Sequence, residues 1–241
     1  MVSAFRQYAG GAYIFLVLAF SAWLAYSTLT PVFPTGDALT YGRAAYNLFQ
    51  YGKFSSSTED VAEAIKVNYY DNPVVPLYFA AALKLFFEQK DVSLACLEAL
   101  PASTCPDVLL TMKAANILWM TGLSLLAFFV MRALRPCRVK ARYALFTLLA
   151  LNVSLLNHVD TFLTEGLAAF FLLGLSFVLY RLCIPPTSQR SMALETLGGA
   201  LCYMFLILLK AVFLYMLPLL LLLGGALVWR RRDWRRALQI V

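Results

Sequence analysis

The stretch AYIFLVLAFSAWLAYSTL, Ala12–Leu29, decides the fold. Only Ser, Thr and Tyr interrupt it. An apolar run near twenty residues crosses hydrocarbon as a helix, because a helix satisfies its own backbone hydrogen bonds where no water is present. A signal peptide is the rival reading. Its apolar core would span about 7–15 residues and end at a small-residue cleavage site. This run is longer and ends Thr28-Leu29-Thr30-Pro31, so it reads as a retained anchor. Working outward, similar runs lie at about 108–131, 143–157, 164–180, 196–209 and 211–229. The third and fifth are short for a full crossing, and Lys210 alone separates the last two. The expectation is an all-α polytopic membrane helical bundle with about six transmembrane helices. Residues 1–241 form a single transmembrane module: a long first extracytoplasmic loop at 30–107 carries interfacial helices, and a helical bundle follows at 108–241.

Composition points the same way. The chain has 241 residues, 61% hydrophobic and 14% charged, with a mean hydropathy of +0.73. Soluble domains run about 45–50% apolar and about 25% charged. A soluble globular domain, a disordered chain and a disulfide-rich secreted module are therefore excluded. The net charge of +7 divides by side. With a cytoplasmic N-terminus and six spans, thirteen basic residues and two acids face inward, and seven basic residues and eleven acids face outward. Loops rich in Lys and Arg stay cytoplasmic, so this asymmetry sets the expected orientation. Nucleic acid is not an expected partner, since no basic-aromatic surface module accompanies the charge. Cys96 and Cys105 both fall in the outer loop, where a local disulfide and two free thiols are both open readings. Cys137, Cys183 and Cys202 are expected to be reduced. No internal repeat of 20–50 residues is visible.

The outer loop holds most of the acids. Pro34-Thr35-Gly36-Asp37 breaks the first helix. Ala38–Tyr51 then reads as an interfacial amphipathic helix stopped by Gly52. Pro73–Phe87 is apolar but too short to span, and reads as re-entrant or interfacial. A short helix is expected over Val61–Val67.

The chemistry-bearing residues each have two readings. Asp37 stands where the first span leaves the membrane, either as a general base toward a hydroxyl or as a helix N-cap. His158, Asp160 and Glu165 sit between the third and fourth runs. Ionisable groups near hydrocarbon usually have a task or a partner. The plain alternative is a helix start, with Asp160 or Thr161 capping and Glu165 in the positive first turn. Lys210 either binds a lipid phosphate or snorkels to the interface. Asp71 opens Asp71-Asn72-Pro73, which by itself is a turn.

Taken in order, these parts resemble a known superfamily. After one span come Gly36-Asp37 and Tyr41-x-x-Ala44-Ala45-x-x-Leu48. Gly52-Lys53-Phe54, Asn72-Pro73-Val74-Val75-Pro76-Leu77-Tyr78 and Leu85-Phe86-Phe87 follow. Later come Leu163-Thr164-Glu165-Gly166-Leu167, a Gly198-Gly199 span and Leu209-Lys210. The set resembles the C-type (GT-C) membrane glycosyltransferases, including the protein O-mannosyltransferases and the lipid A aminoarabinose transferase. It covers the whole chain, but only the N-terminal half or so of such an enzyme. The ordered set carries the resemblance; no single motif does.

The resemblance implies transfer of a sugar from a polyprenyl-phosphate donor to a hydroxyl of a lipid, glycan or protein. The implied place is the extracytoplasmic face of a bacterial inner membrane. Asp37 would be the catalytic carboxylate, with Asp160 and Glu165 lining the same cavity. Arg43, Tyr41, Asp71, His158 and Lys210 would contact substrate. A divalent metal ion would lie at Asp37 and Asp160. Lys113 would stand in for the basic residue that opens the second span in the family. The Cys96–Cys105 segment departs from the family pattern. Against the family's length, the chain reads as a compact member, as a piece lacking a C-terminal region, or as a half that needs a partner subunit. The alternative is a non-catalytic glycolipid-binding or scaffold membrane subunit. A transporter would need polar groups at mid-bilayer and an inverted repeat. An intramembrane peptidase would need a zinc motif or a buried Asp pair; neither pattern is in the sequence.

Overall fold

The computed structural model describes residues 2–30, 36–58, 72–98, 105–134, 139–160, 164–183 and 189–222. Every element among them is helical. In chain order they are α1 (Val2–Ser27), α2 (Asp37–Tyr51), α3 (Val74–Phe86), α4 (Ala95–Glu98), α5 (Pro106–Leu134), α6 (Val139–Ala150), α7 (Val153–Val159), α8 (Glu165–Cys183) and α9 (Gln189–Leu209). The chain divides into two compact units, Met1–Gly166 and Leu167–Val241.

Three described helices are long and apolar enough to cross a membrane: Ala9–Ser27 within α1, Pro106–Leu134, and Glu165–Leu182 within α8. A fourth span results if α6 and α7 are counted together. That pair covers the expected third run, but it bends by 42° at a short break. Asn152 causes a fresh start there: its side chain accepts from the Leu155 N–H and caps α7. Among the described residues, the expected fifth and sixth runs are the shorter apolar helices Leu194–Leu209 and Ala211–Leu222. Residues 223–229 of the sixth run lie outside the described residues, as do 61–67, Asp71, Thr161 and Cys137. These helices give the chain the character of an integral membrane protein.

In the first unit, α1 shows why the membrane reading holds. One face packs on α6: Tyr13 and Thr147 share a hydrogen bond of 2.6 Å between hydroxyls, and Ser21 donates to the Ala150 carbonyl. The Tyr13 and Tyr143 rings meet edge to face at 5.3 Å. The other face exposes Phe15, Leu16, Phe20 and Trp23. In water such a contiguous apolar stripe would drive association. In hydrocarbon it is matched by its surroundings.

Helices form over two of the segments expected in the first loop. α2 buries Ala38, Ala44, Ala45, Tyr46 and Phe49, while α3 buries Val75, Phe79, Ala80 and Leu83. Gly52 ends α2 with φ +66°, a left-handed cap whose N–H reaches the Asn47 and Leu48 carbonyls. Fully buried Asn47 donates from its amide to the Ser55 and Ser57 carbonyls, fastening the chain that leaves the helix. Gln50 and Gln89 exchange hydrogen bonds with each other's backbone, which holds a 3-10 turn at Gln89–Asp91 against the end of α2. Cys96 and Cys105 form a disulfide joining α4 to the start of α5. The bridged reading of those two thiols is therefore the one the structure adopts.

Within the second unit, the α8 and α9 segments pack through small and aromatic residues. Gly199 lies against Val178, and Phe171 stacks on Phe205 at 4.8 Å. Arg181 reaches Glu195 at 2.9 Å. The Tyr203 hydroxyl donates to the Phe213 carbonyl at 3.3 Å, beyond the break at Lys210.

Candidate active site

Lys113 anchors the site. It lies in the second turn of α5 and is 1% exposed. A lysine inside an apolar helix needs a partner, because an isolated buried ammonium loses its hydration without return. The partner is Asp160, whose Oδ1 lies 2.8 Å from Nζ. Lys113 Nζ also donates to the Thr30 carbonyl at 2.8 Å and to Thr30 Oγ1 at 3.3 Å. Thr30 completes the ring: its N–H donates to Asp160 Oδ1 at 2.9 Å and its hydroxyl to Oδ2 at 2.7 Å. One residue just past α1, one from α5 and the C-cap of α7 thus meet at a single point.

The junction continues along α5. Asn116, three residues on, donates to the Val159 carbonyl at 3.0 Å. Trp119, three further, donates its indole N–H to Asn116 Oδ1 at 3.1 Å. Spacing of three places all three side chains on one face of the helix. Gly166 then passes over the Trp119 ring so closely that a Cβ there would collide with it. This face of α5 fixes both the end of α7 and the start of α8.

The sequence-derived residues separate into groups. Asp160 caps the C-terminal end of α7 and does not cap the helix that follows. Glu165 opens α8 in its first turn, as expected of an acid at a positive helix end, and is exposed. His158 is exposed in the last turn of α7. Asp37 is the first residue of α2, with Gly36 at the N-cap position and no side-chain cap there. The N-cap reading of Asp37 is therefore not the one adopted. Its carboxylate is exposed and has no hydrogen-bond or ion-pair partner among the described residues. Tyr41 lies one turn along α2, on the face of Asp37, and Arg43 is half-buried in the next turn. Lys210 belongs to the second unit, at the extended break between α9 and a 3-10 turn.

A divalent cation shared by Asp37 and Asp160 does not fit this arrangement. The Lys113 ammonium sits on Asp160 Oδ1, and the Thr30 hydroxyl on Oδ2. Among the described residues, no three His, Cys, Asp or Glu side chains converge on one point.

The sequence reading missed Thr30, Asn116 and Trp119, and it gave Lys113 no partner. A signal was there: Lys113 and Asn116 are spaced by three in an otherwise apolar helix, and each needs an acceptor or donor nearby. Which acid answers Lys113 depends on tertiary placement, and that is where spacing stops informing.

Compared with known protein families, curated proteins and solved structures, the chain matches none.

Proposed function

We propose that the protein transfers a sugar from a polyprenyl-phosphate donor to a hydroxyl acceptor at a membrane face, with Asp37 as the base. The observation that carries this reading is the state of Asp37. Its carboxylate heads α2 soon after the first span, exposed and unpartnered among the described residues. In the proposed step Asp37 takes the acceptor's hydroxyl proton. The oxygen attacks the anomeric carbon with inversion, and the polyprenyl phosphate leaves. A carboxylate is a weak base toward a hydroxyl, so alignment of the acceptor supplies much of the rate. Tyr41, on the same face of α2, would orient the acceptor. Arg43 would receive the phosphate, and Glu165 and His158 would line the polar side.

Asp160 takes a different role from the one first expected. Bound by Lys113 and Thr30, it is a positioning residue that holds the end of α1 seven residues before Asp37. The wider frame of the proposal has six spans, a cytoplasmic N-terminus, a bacterial inner membrane and the site on the extracytoplasmic face. The charge asymmetry of the sequence supports that orientation.

The test is transfer of label from radiolabelled polyprenyl-phosphate sugars to hydroxyl acceptors by purified protein. Asp37→Asn is expected to abolish transfer while membrane insertion stays unchanged. Full transfer by that variant would sink the role of Asp37.

A further inference from the structure

A cavity of about 460 Å³ opens among the end of α1, α3 and the first half of α5. Its size lies in the range of pockets that hold small ligands. Tyr26, Leu85, Phe86, Leu110, Ala114 and Leu118 line it, and Asp107 stands at one end. Tyr26, Leu85, Phe86 and Leu118 are themselves exposed, so the groove is open at its sides. The Tyr78 hydroxyl donates to the Ala115 carbonyl and fastens α3 to α5 along the groove.

Depth identifies the kind of occupant. From Asp107 to Leu118 the helix rises roughly 16 Å, at about 1.5 Å per residue. That is about half the hydrocarbon thickness of a bilayer, roughly 30 Å. A groove of that length, beside a helix long and apolar enough to span, matches the reach of one acyl chain in one leaflet.

Charge identifies the headgroup. Lipid tails are as apolar as leucine, so an apolar wall alone does not choose between lipids. The selecting group is Asp107, exposed in the first turn of α5 and without a hydrogen-bond or ion-pair partner among the described residues. A carboxylate at the mouth repels a lipid whose only headgroup charge is a phosphate. It accepts charge-assisted hydrogen bonds from an ammonium. A polyprenyl phosphate is thus a poor fit for this groove.

We propose that the groove between α3 and α5 binds one acyl chain of an amine-bearing phospholipid, whose ammonium group sits on Asp107. The inference does not depend on sugar transfer, and its failure would leave that reading as it stands.

The experiment uses the purified full chain exposed to equimolar palmitoyl-oleoyl phosphatidylethanolamine and palmitoyl-oleoyl phosphatidylglycerol. Native mass spectrometry reads the lipid retained. The protein is expected to retain phosphatidylethanolamine over phosphatidylglycerol by roughly fivefold, the factor that one partly screened charge contact supplies. Asp107→Asn should bring the two lipids near parity, and Asp107→Lys should reverse the preference. Ala81→Trp, at an exposed lining position of α3, should lower retention of both lipids. Unchanged helicity and elution of Asp107→Asn show that the fold is intact. Equal retention of the two lipids by the unaltered protein would overturn the proposal. So would an unchanged preference in Asp107→Lys, or undiminished retention in Ala81→Trp.

Discussion

Asp160 and Asp37 belong to the same unit and stand in opposite circumstances. Asp160 has both oxygens engaged, by a lysine that is 1% exposed and by the backbone and hydroxyl of Thr30. Asp37 is exposed at the head of α2, and no described residue holds its carboxylate. From sequence the two look alike, each an acid at the edge of an apolar run. The difference shows that two acids in similar sequence settings can end differently, one held by a buried cation and one exposed.

The largest effect is expected from separating Lys113 and Asp160. Asp160→Ala leaves the Lys113 ammonium buried without its counter-ion, and removing one member of a buried pair costs about 3–5 kcal/mol. Asp160 is 29% exposed, so the loss should fall near the lower end. Denaturant unfolding in detergent reads it. The double variant Lys113→Met/Asp160→Leu should recover most of the loss, because neither charge then remains. If the double variant were as unstable as Asp160→Ala, the pair would not be the cause.

The disulfide comes next. Cys96 and Cys105 are nine residues apart, and closing a loop of that size is worth about 2–3 kcal/mol in the chain-entropy account. Reduction should lower stability by that amount and loosen the start of α5, upstream of Lys113. Amide hydrogen exchange at 107–112 is the readout, and unchanged exchange would detach the bridge from the junction.

A smaller effect tests whether burial sets the scale. Arg181 and Glu195 pair at the same kind of distance, 2.9 Å, but Arg181 is 38% exposed. Partly exposed pairs are worth about 0.2–1 kcal/mol. Glu195→Gln should therefore shift unfolding by no more than about 1 kcal/mol. A loss equal to that of Asp160→Ala would mean that distance, not burial, governs both pairs.

Much of the helical pattern was legible. The runs at 12–29, 108–131 and 164–180 became α1, α5 and α8 because composition alone demands a helix in hydrocarbon. α2 was legible from its apolar spacing and from Gly52, which supplies the left-handed stop. The run at 143–157 concealed a break, since its hydropathy is continuous while Asn152 starts a new helix inside it. At the site, the residues were legible but their pairing was not. Lys113 and Asp160 are separated by 47 positions, and only the packing of α5 against α7 brings them together. Asp37 was legible as the acid after the first span, but that no described residue holds its carboxylate is a tertiary fact.

The division between the two carboxylates is tested most directly by measuring Asp37→Asn and Asp160→Asn side by side, reading unfolding and sugar transfer in one detergent. Asp37→Asn should keep its unfolding free energy within about 0.5 kcal/mol, as exposed substitutions do, while losing transfer. Asp160→Asn should lose stability by several times that amount. Equal stability losses in the two variants, or full transfer by Asp37→Asn, would contradict that division.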